Sequence, residues 1–375
     1  MFHLKVLAEK MSLIAQKLKS KVILYAPNIH LGGGSILLQG LIKNWPKGIA
    51  FQGYFDSRIS EMIHLKKNHS IAWVEPTIRS RLKAEMSLSK TASSNDVVVF
   101  FNSLPPLFVC KGRVIVFLQN RNFIEKISLR GFKFKLAFRI LIERSLAYFF
   151  RSRVDEYIVQ TDSFKRLVAK WYKRKDLNQD LLITVLPFMD SDNFLNSLKL
   201  ERPVRQYDFI YVADGLPQKN HLALFNAWEV LAGEGVFPSL AISLPDTELD
   251  LLNNVAQLQK KGLKIINLGW LTHSEVLLKY EVSGALIFPS LRESFGLPLV
   301  EATKLNIPIL ASELEYVYDV CEPAETFNPN SPRSIGRAVR RFLDIRPPLR
   351  KVQEPKDFAN YIIHSAVDSD NYTKY

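Results

Sequence analysis

Two glutamates, Glu293 and Glu301, stand eight positions apart in FPSLRESFGLPLVEA, residues 288–302. On one continuous helix they would lie about 80° apart around the axis and two turns apart along it. The stretch does not read as one helix. GALIFPS (284–290) is strand-like and LRESFG is the loop after it. Pro298 suits a first helical turn, because its missing N–H costs nothing there and its φ is preset. Pro308 stands just past the other end of that helix. A helix beginning near Leu297 aims its unpaired N–H groups at the loop, with ~0.5 of a positive charge from the dipole. Glu293 precedes that terminus and Glu301 lies one turn inside it. The two acids are therefore not an acid–base pair on one face; they bracket an anion site.

Acids beside an anion make sense when the ligand carries hydroxyls on both sides of its phosphates. A nucleotide-sugar has that shape: a sugar, a diphosphate and a ribose in line. Glu301 would accept hydrogen bonds from the ribose and Glu293 from the sugar.

Such a loop must be positioned by elements, and the chain alternates strands with helices, which argues for parallel α/β sheets. KVILYAP (21–27) reads as a first strand, and GGGSILLQGLIKNW (32–45) as a glycine loop opening a helix. DVVVFFN (96–102), RVIVFLQN (113–120), DEYIVQT (155–161) and ITVLPF (183–188) read as further strands, with the helix SFKRLVAKWYKR at 163–174. After a polar linker, 191–206, a second series runs from YDFIYVA (207–213) through SLAISL, LKIINLG and GALIFPS to IPILAS (307–312). The expected division is a first Rossmann-like domain over 1–190, a second over 207–345, and a tail, 346–375, crossing back to the first. Two such halves place a ligand in a cleft at the carboxyl ends of their strands. Gly32, Gly33 and Gly34, Gln119 and Asn120, the 214–220 loop with Gly215, and Glu293 all follow strands.

The chain has 375 residues, 47% of them hydrophobic and 23% charged, so it can bury a sizeable core. Two cysteines, Cys110 and Cys321, give no disulfide framework and no clustered zinc pattern. A reducing cytoplasm is the default compartment. The net charge is +13, split as +17 through Asp190 and −4 from Ser191 onward. The first half is expected to face something anionic: nucleic acid, an acidic leaflet or a phosphorylated substrate. No apolar run is long enough to span a bilayer. Residues 1–21 read as a short basic amphipathic helix, either a plain surface element or a membrane contact. The basic, aromatic stretch 130–153 reads either as a core-facing helix with solvated cations or as a helix resting on an acidic membrane. No nucleic-acid module accompanies the charge, so nucleic acid is not an expected partner. DSD (190–192) invites a metal, but it lies in the linker, far in sequence from the glutamate loop, so none is expected.

The chain resembles the family 4 retaining glycosyltransferases of the two-domain GT-B fold. FPSLRESFGLPLVEA matches with its glutamates at the family's E-x7-E spacing. FIYVADGLPQKNHLALFNAW and INLGWLTHSEVLLKYEVSGALIFPS fit the second domain, and EYIVQTDSFKRL fits the end of the first. The likeness is closest to the bacterial surface-polysaccharide and O-antigen branch. It implies that Glu293 contacts the donor sugar and Glu301 the ribose, while Lys219 balances the diphosphate. The backbone of Phe295, Gly296 and Leu297 would hold the phosphates, with Gly215 alongside and glycines 32–34 approaching donor or acceptor. It also implies a UDP- or GDP-linked donor, no other cofactor, and a glycan or lipid-linked acceptor met in the cytoplasm or at the inner membrane's cytoplasmic face. Many members carry an arginine shortly before the lysine, where Asp214 stands here. Either Lys219 works with another cation such as Arg292, or phosphate binding is weaker. Many also carry a histidine where Gln119 stands. A non-catalytic carbohydrate- or anionic-lipid-binding protein on the same scaffold is the alternative reading.

Overall fold

The computed structural model describes residues 21–46, 49–63, 69–125, 129, 131–172, 181–190 and 204–345. The expectations for 1–20, most of the linker and the tail after 345 lie outside them.

Short runs of branched and aromatic residues such as VILYA and SGALIF form the central parallel strands, because helices cover both sheet faces there. The first sheet holds β1 (Val22–Ala26), β2 (Phe51–Asp56), β3 (Ser70–Val74), β4 (Val97–Phe100), β5 (Arg113–Phe117), β6 (Glu156–Val159) and β7 (Leu182–Val185). Its order is β3-β2-β1-β4-β5-β6-β7, and every pairing is parallel, with Leu24 opposite both Gly53 and Val99. The helices α1 (Gly32–Lys43), α2 (Ile78–Thr91), α3 (Phe134–Phe150) and α4 (Asp162–Tyr172) connect these strands. One apolar cluster gathers Tyr25, Phe100, Tyr157 and Phe164. A second gathers Leu24, Leu37, Phe55 and Phe117.

The second sheet holds β8 (Tyr207–Tyr211), β9 (Leu240–Ile242), β10 (Ile265–Asn267), β11 (Ser283–Phe288), β12 (Ile309–Ser312) and β13 (Glu325–Phe327), in the order β10-β9-β8-β11-β12-β13. Its helices are α5 (His221–Gly233), α6 (Leu249–Lys260), α7 (His273–Glu281), α8 (Leu297–Lys304), α9 (Glu315–Tyr318) and α10 (Pro332–Phe342). The stretch from Val339 onward forms a separate unit, whose described part closes with Ile345 N donating to Arg340 O at 2.8 Å.

Each sheet reverses its strand order beside its first strand, between β1 and β4 and between β8 and β11. A crevice opens at the carboxyl ends of the strands at such a switch, and ligands bind there. The loops leaving β8 and β11 are those that carry Lys219 and Glu293. The sequence reading did not anticipate β2, β3, β13, α2, α6, α9 or α10.

Candidate functional site

The loop after β8 ends in a 3₁₀ turn, Pro217–Lys219, and α5 begins at His221. Between them Asn220 takes a left-handed φ of 63°, which asparagine tolerates better than most residues. Its amide donates to Pro289 O at 3.1 Å and to Pro329 O at 2.8 Å. Leu291 N donates to Gln218 O at 2.8 Å, and Tyr211 Oη donates to Lys219 O at 2.7 Å. The lysine turn is thus fastened from behind to the glutamate loop. Asp214 accepts from Leu216 N at 3.1 Å, shaping the start of the same loop, and Gly215 lies against the Glu248 side chain.

Lys219 Nζ meets Glu293 Oε1 at 2.7 Å, and the two side chains are only 18% and 13% exposed. Burial alone would lower the Lys219 pKa, but the Glu293 and Asp214 carboxylates outweigh it and raise it. The ammonium is therefore charged at neutral pH. Ser290 Oγ donates to the same Glu293 oxygen at 2.7 Å.

Gly296 caps α8 with φ 79°, a conformation that costs an L side chain 1–2 kcal/mol in rough terms. Pro298 follows within the first turn, and Leu299 N is already bonded to Gly296 O at 2.9 Å. The N–H groups of Phe295, Gly296 and Leu297 make no hydrogen bond among the described residues. Three free amides at a helix amino end, two residues from a fixed ammonium–carboxylate pair, form an anion cradle. Further along α8, Glu301 is 3% exposed, and its Oε1 lies 2.9 Å from His273 Nε2. His273 opens α7 behind a Thr272–Glu275 capping box, which fixes its approach.

From the first lobe, the glycines open α1 directly after β1. A Cβ on Gly33 would stand 2.7 Å from Leu297 Cδ1, so the amino ends of α1 and α8 meet there. Gln119 Nε2 donates to Phe101 O at 2.8 Å, and its Oε1 lies 3.2 Å from the Cβ position of Gly34. Asn120 accepts from Asn122 N at 3.0 Å and so caps its own turn. Ser294 Oγ donates to Gln119 O, Thr161 Oγ1 donates to Ser294 O at 3.3 Å, and Arg121 Nη1 donates to Glu293 O at 3.1 Å. The charges of Glu125, Arg121, Arg144 and Glu293 act on Arg292.

Lys219, Glu293 and the 295–297 backbone thus come together, with glycines 32–34 and Gln119 facing them. Glu301 sits deeper on His273, and Asn120 serves its own loop. Sequence reasoning missed Asn220, Ser290, Ser294, His273 and Arg121. For Asn220, Ser294, His273 and Arg121 the signal is weak because each acts through a partner far away in the chain. Asp190 pairs with Lys43 at 2.9 Å, and no group of three His, Cys, Asp or Glu among the described residues could hold a metal ion.

Residues 194–362 match the family model described as Glycosyl transferases group 1. The serotype-specific mannosyltransferase WbdA of Escherichia coli is 33% identical over 142 residues, which is 36% of this chain and 17% of that protein. The O-antigen chain mannosyltransferase RfbU of Salmonella typhimurium is 21% identical over 238 residues, 63% of this chain and 61% of that one. The match thus spans less than a fifth of the length of WbdA. Anabaena HepE in complex with UDP and glucose superposes with a TM-score of 0.59 at 14% identity, covering 86% of this chain and 90% of that one. Sucrose-phosphate synthase of Thermosynechococcus elongatus gives 0.62 at 12% identity, covering 87% and 90%. The architecture is the GT-B fold that these structures share.

Proposed function

On the premise that residues 194–362 belong to the glycosyl transferases of group 1, we propose that the chain moves a hexose from a nucleotide-sugar to a glycan or lipid-linked glycan. Transfer proceeds with retention at the anomeric carbon and without a metal, in the assembly of a surface polysaccharide such as O-antigen. The observation that carries this reading is the Lys219 ammonium held 2.7 Å from Glu293 beside the free amides of Phe295, Gly296 and Leu297. An ammonium and a helix amino end together supply the positive charge that a leaving diphosphate needs. The mannosyltransferase names of the relatives support a hexose, and the UDP in HepE supports a nucleoside diphosphate carrier, UDP- or GDP-linked.

When donor binds, its diphosphate lies on the amides and draws Lys219 Nζ toward it. That frees Glu293 to accept hydrogen bonds from the sugar hydroxyls. Glu301 holds the ribose, competing with His273. The bond from the anomeric carbon to the diphosphate oxygen breaks, and the acceptor oxygen bonds to that carbon from the same face. The acceptor's proton passes to the leaving phosphate oxygen. The protein acts by positioning and electrostatic preorganisation, with no side-chain nucleophile.

The first lobe is proposed to rest on the acidic cytoplasmic face of the inner membrane. On α3 the exposed Phe134, Phe138, Leu141, Ile142 and Phe149 form a stripe, with Phe134 84% exposed, and Lys133, Lys135 and Arg139 lie among them. On α2, Ile78, Leu82 and Met86 are exposed at intervals of four. The helices are neighbours, since Arg81 of α2 senses Arg139 of α3. Exposed aromatics flanked by cations suit a membrane interface. No helix among the described residues is long and apolar enough to cross a membrane.

The test is transfer from UDP-glucose and GDP-mannose to glycan acceptors, with the product anomer read by NMR. The proposal expects a retained anomer, activity that persists in EDTA, and loss of activity in Lys219→Ala and Glu293→Ala. Donor binding without turnover on any acceptor would favour the non-catalytic binding protein.

A further inference from the structure

Arg121 lies in the turn after β5, Arg144 on α3 and Arg292 in the loop after β11, so three elements from both lobes bring guanidinium groups together. Arg121 Nε meets Glu125 Oε2 at 3.2 Å, and its Nη1 donates to Glu293 O at 3.1 Å. Arg144 Nε donates to Asn122 O at 2.7 Å, while its Nη2 is buried with no hydrogen-bond partner among the described residues. The Arg292 guanidinium makes no hydrogen bond among the described residues. Arg121, Arg144 and Arg292 thus gather around Glu125, while the Glu293 carboxylate, which also acts on Arg292, is engaged by Lys219 and Ser290.

This arrangement is costly as it stands. Burial lowers the pKa of Arg292; Glu125 opposes that shift, and the Arg121 and Arg144 charges add to it. Burial also lowers that of Arg144. Each guanidinium has five N–H groups, and the bonds described use few of them. A planar fork with spare donors is the side-chain group best matched to phosphate oxygens.

We propose that Arg121, Arg144 and Arg292 form a second anion site, distinct from the Lys219–α8 cradle, which takes a phosphate or pyrophosphate ester of the acceptor. The assignment to an acceptor rests on the sugar-transfer reading. The geometry separates the two sites, since Glu293 turns its carboxylate to Lys219 and its carbonyl to Arg121. The helix that carries Arg144 also carries the exposed Phe134–Phe149 stripe. A phosphate ester anchored in a bilayer under that stripe would enter the cleft beside this arginine.

Inorganic pyrophosphate is the probe, titrated calorimetrically into the full chain at low and high salt. Wild type is expected to bind two equivalents. Lys219→Ala should lose one. Arg144→Met should weaken the other tenfold or more and leave UDP or GDP binding unchanged. Should Arg144→Met fail to fold, Arg144→Lys keeps the charge but loses the fork, and is expected to weaken the same site severalfold. One equivalent in wild type, abolished by Lys219→Ala and untouched by the Arg144 variants, overturns the second site and leaves the donor site standing. Two equivalents that Lys219→Ala does not alter, with one lost in Arg144→Met, overturn the donor reading instead.

Discussion

Lys219 is a buried cation that keeps its proton because two carboxylates outweigh its desolvation. Its neighbour His221 has no such help. It is 3% exposed, both ring nitrogens lack partners among the described residues, and burial with the adjacent Lys219 charge pushes its pKa down to about 3. An unfolded chain takes up that proton near pH 6.5, so the unfolded state binds more protons between pH 6.5 and about 3. Stability is therefore full above pH 6.5 and falls on acidification by about 1.4 kcal/mol per pH unit from this group. Urea midpoints from pH 7 to 4 should show the slope, and His221→Leu should flatten it. At the proposed catalytic pair, Glu293→Gln keeps the shape and removes the charge. It is expected to lower kcat by about two to three orders of magnitude, the usual scale for one preorganised electrostatic group. Thermal melts should confirm that the fold is intact. These residues were legible in the sequence because Glu293 and Glu301 share one local string and Lys219 stands in a turn of marked composition. His273 opens α7, but its bond to Glu301 spans 28 positions and leaves no local trace.

At the scale of elements, the site depends on two left-handed residues that end loops. Gly296→Ala forces φ 79° on a side chain and should cost about 1–2 kcal/mol in chemical denaturation. It should also weaken nucleotide binding, because the amides at 295–297 turn with it. Asn220→Ala loses two carbonyl contacts and the tolerance for φ 63°. It should raise KM for the donor more than it lowers stability, since the lysine turn is what it holds. Strands β1, β4, β5, β8, β11 and β12 announce themselves as branched apolar runs buried on both faces. FQGYFD and SIAWV do not: the first is broken by Gln52 and Gly53, and the second is an edge strand with its side chains largely exposed. Helix α2, with Arg79, Arg81, Lys83 and Glu85 among its first eight residues, reads as polar surface until its partners are known.

Over the whole molecule, both sheets use one device: a strand-order switch that opens a crevice at the strand ends. The two amino ends of α1 and α8 meet across it, and the arginine cluster draws Arg121 and Arg144 from the first lobe and Arg292 from the second. The uneven charge, +17 before Ser191, follows the same division, with exposed apolar residues on α2 and exposed aromatics on α3 of the first lobe. Sedimentation with phosphatidylglycerol vesicles should therefore exceed that with phosphatidylcholine vesicles and weaken with salt. Phe134→Ser with Phe149→Ser should reduce it without altering the melting temperature. The charge split was visible in composition, but the stripe was not, because the same apolar spacing on α3 would serve a buried face equally well.

The most direct test of the central claim is a crystal structure with UDP or GDP bound. The expected result is a diphosphate whose oxygens lie within hydrogen-bonding distance of the Phe295, Gly296 and Leu297 amides and of Lys219 Nζ, with the ribose on Glu301. Nucleotide bound elsewhere, with Lys219 still closed on Glu293, would contradict the account.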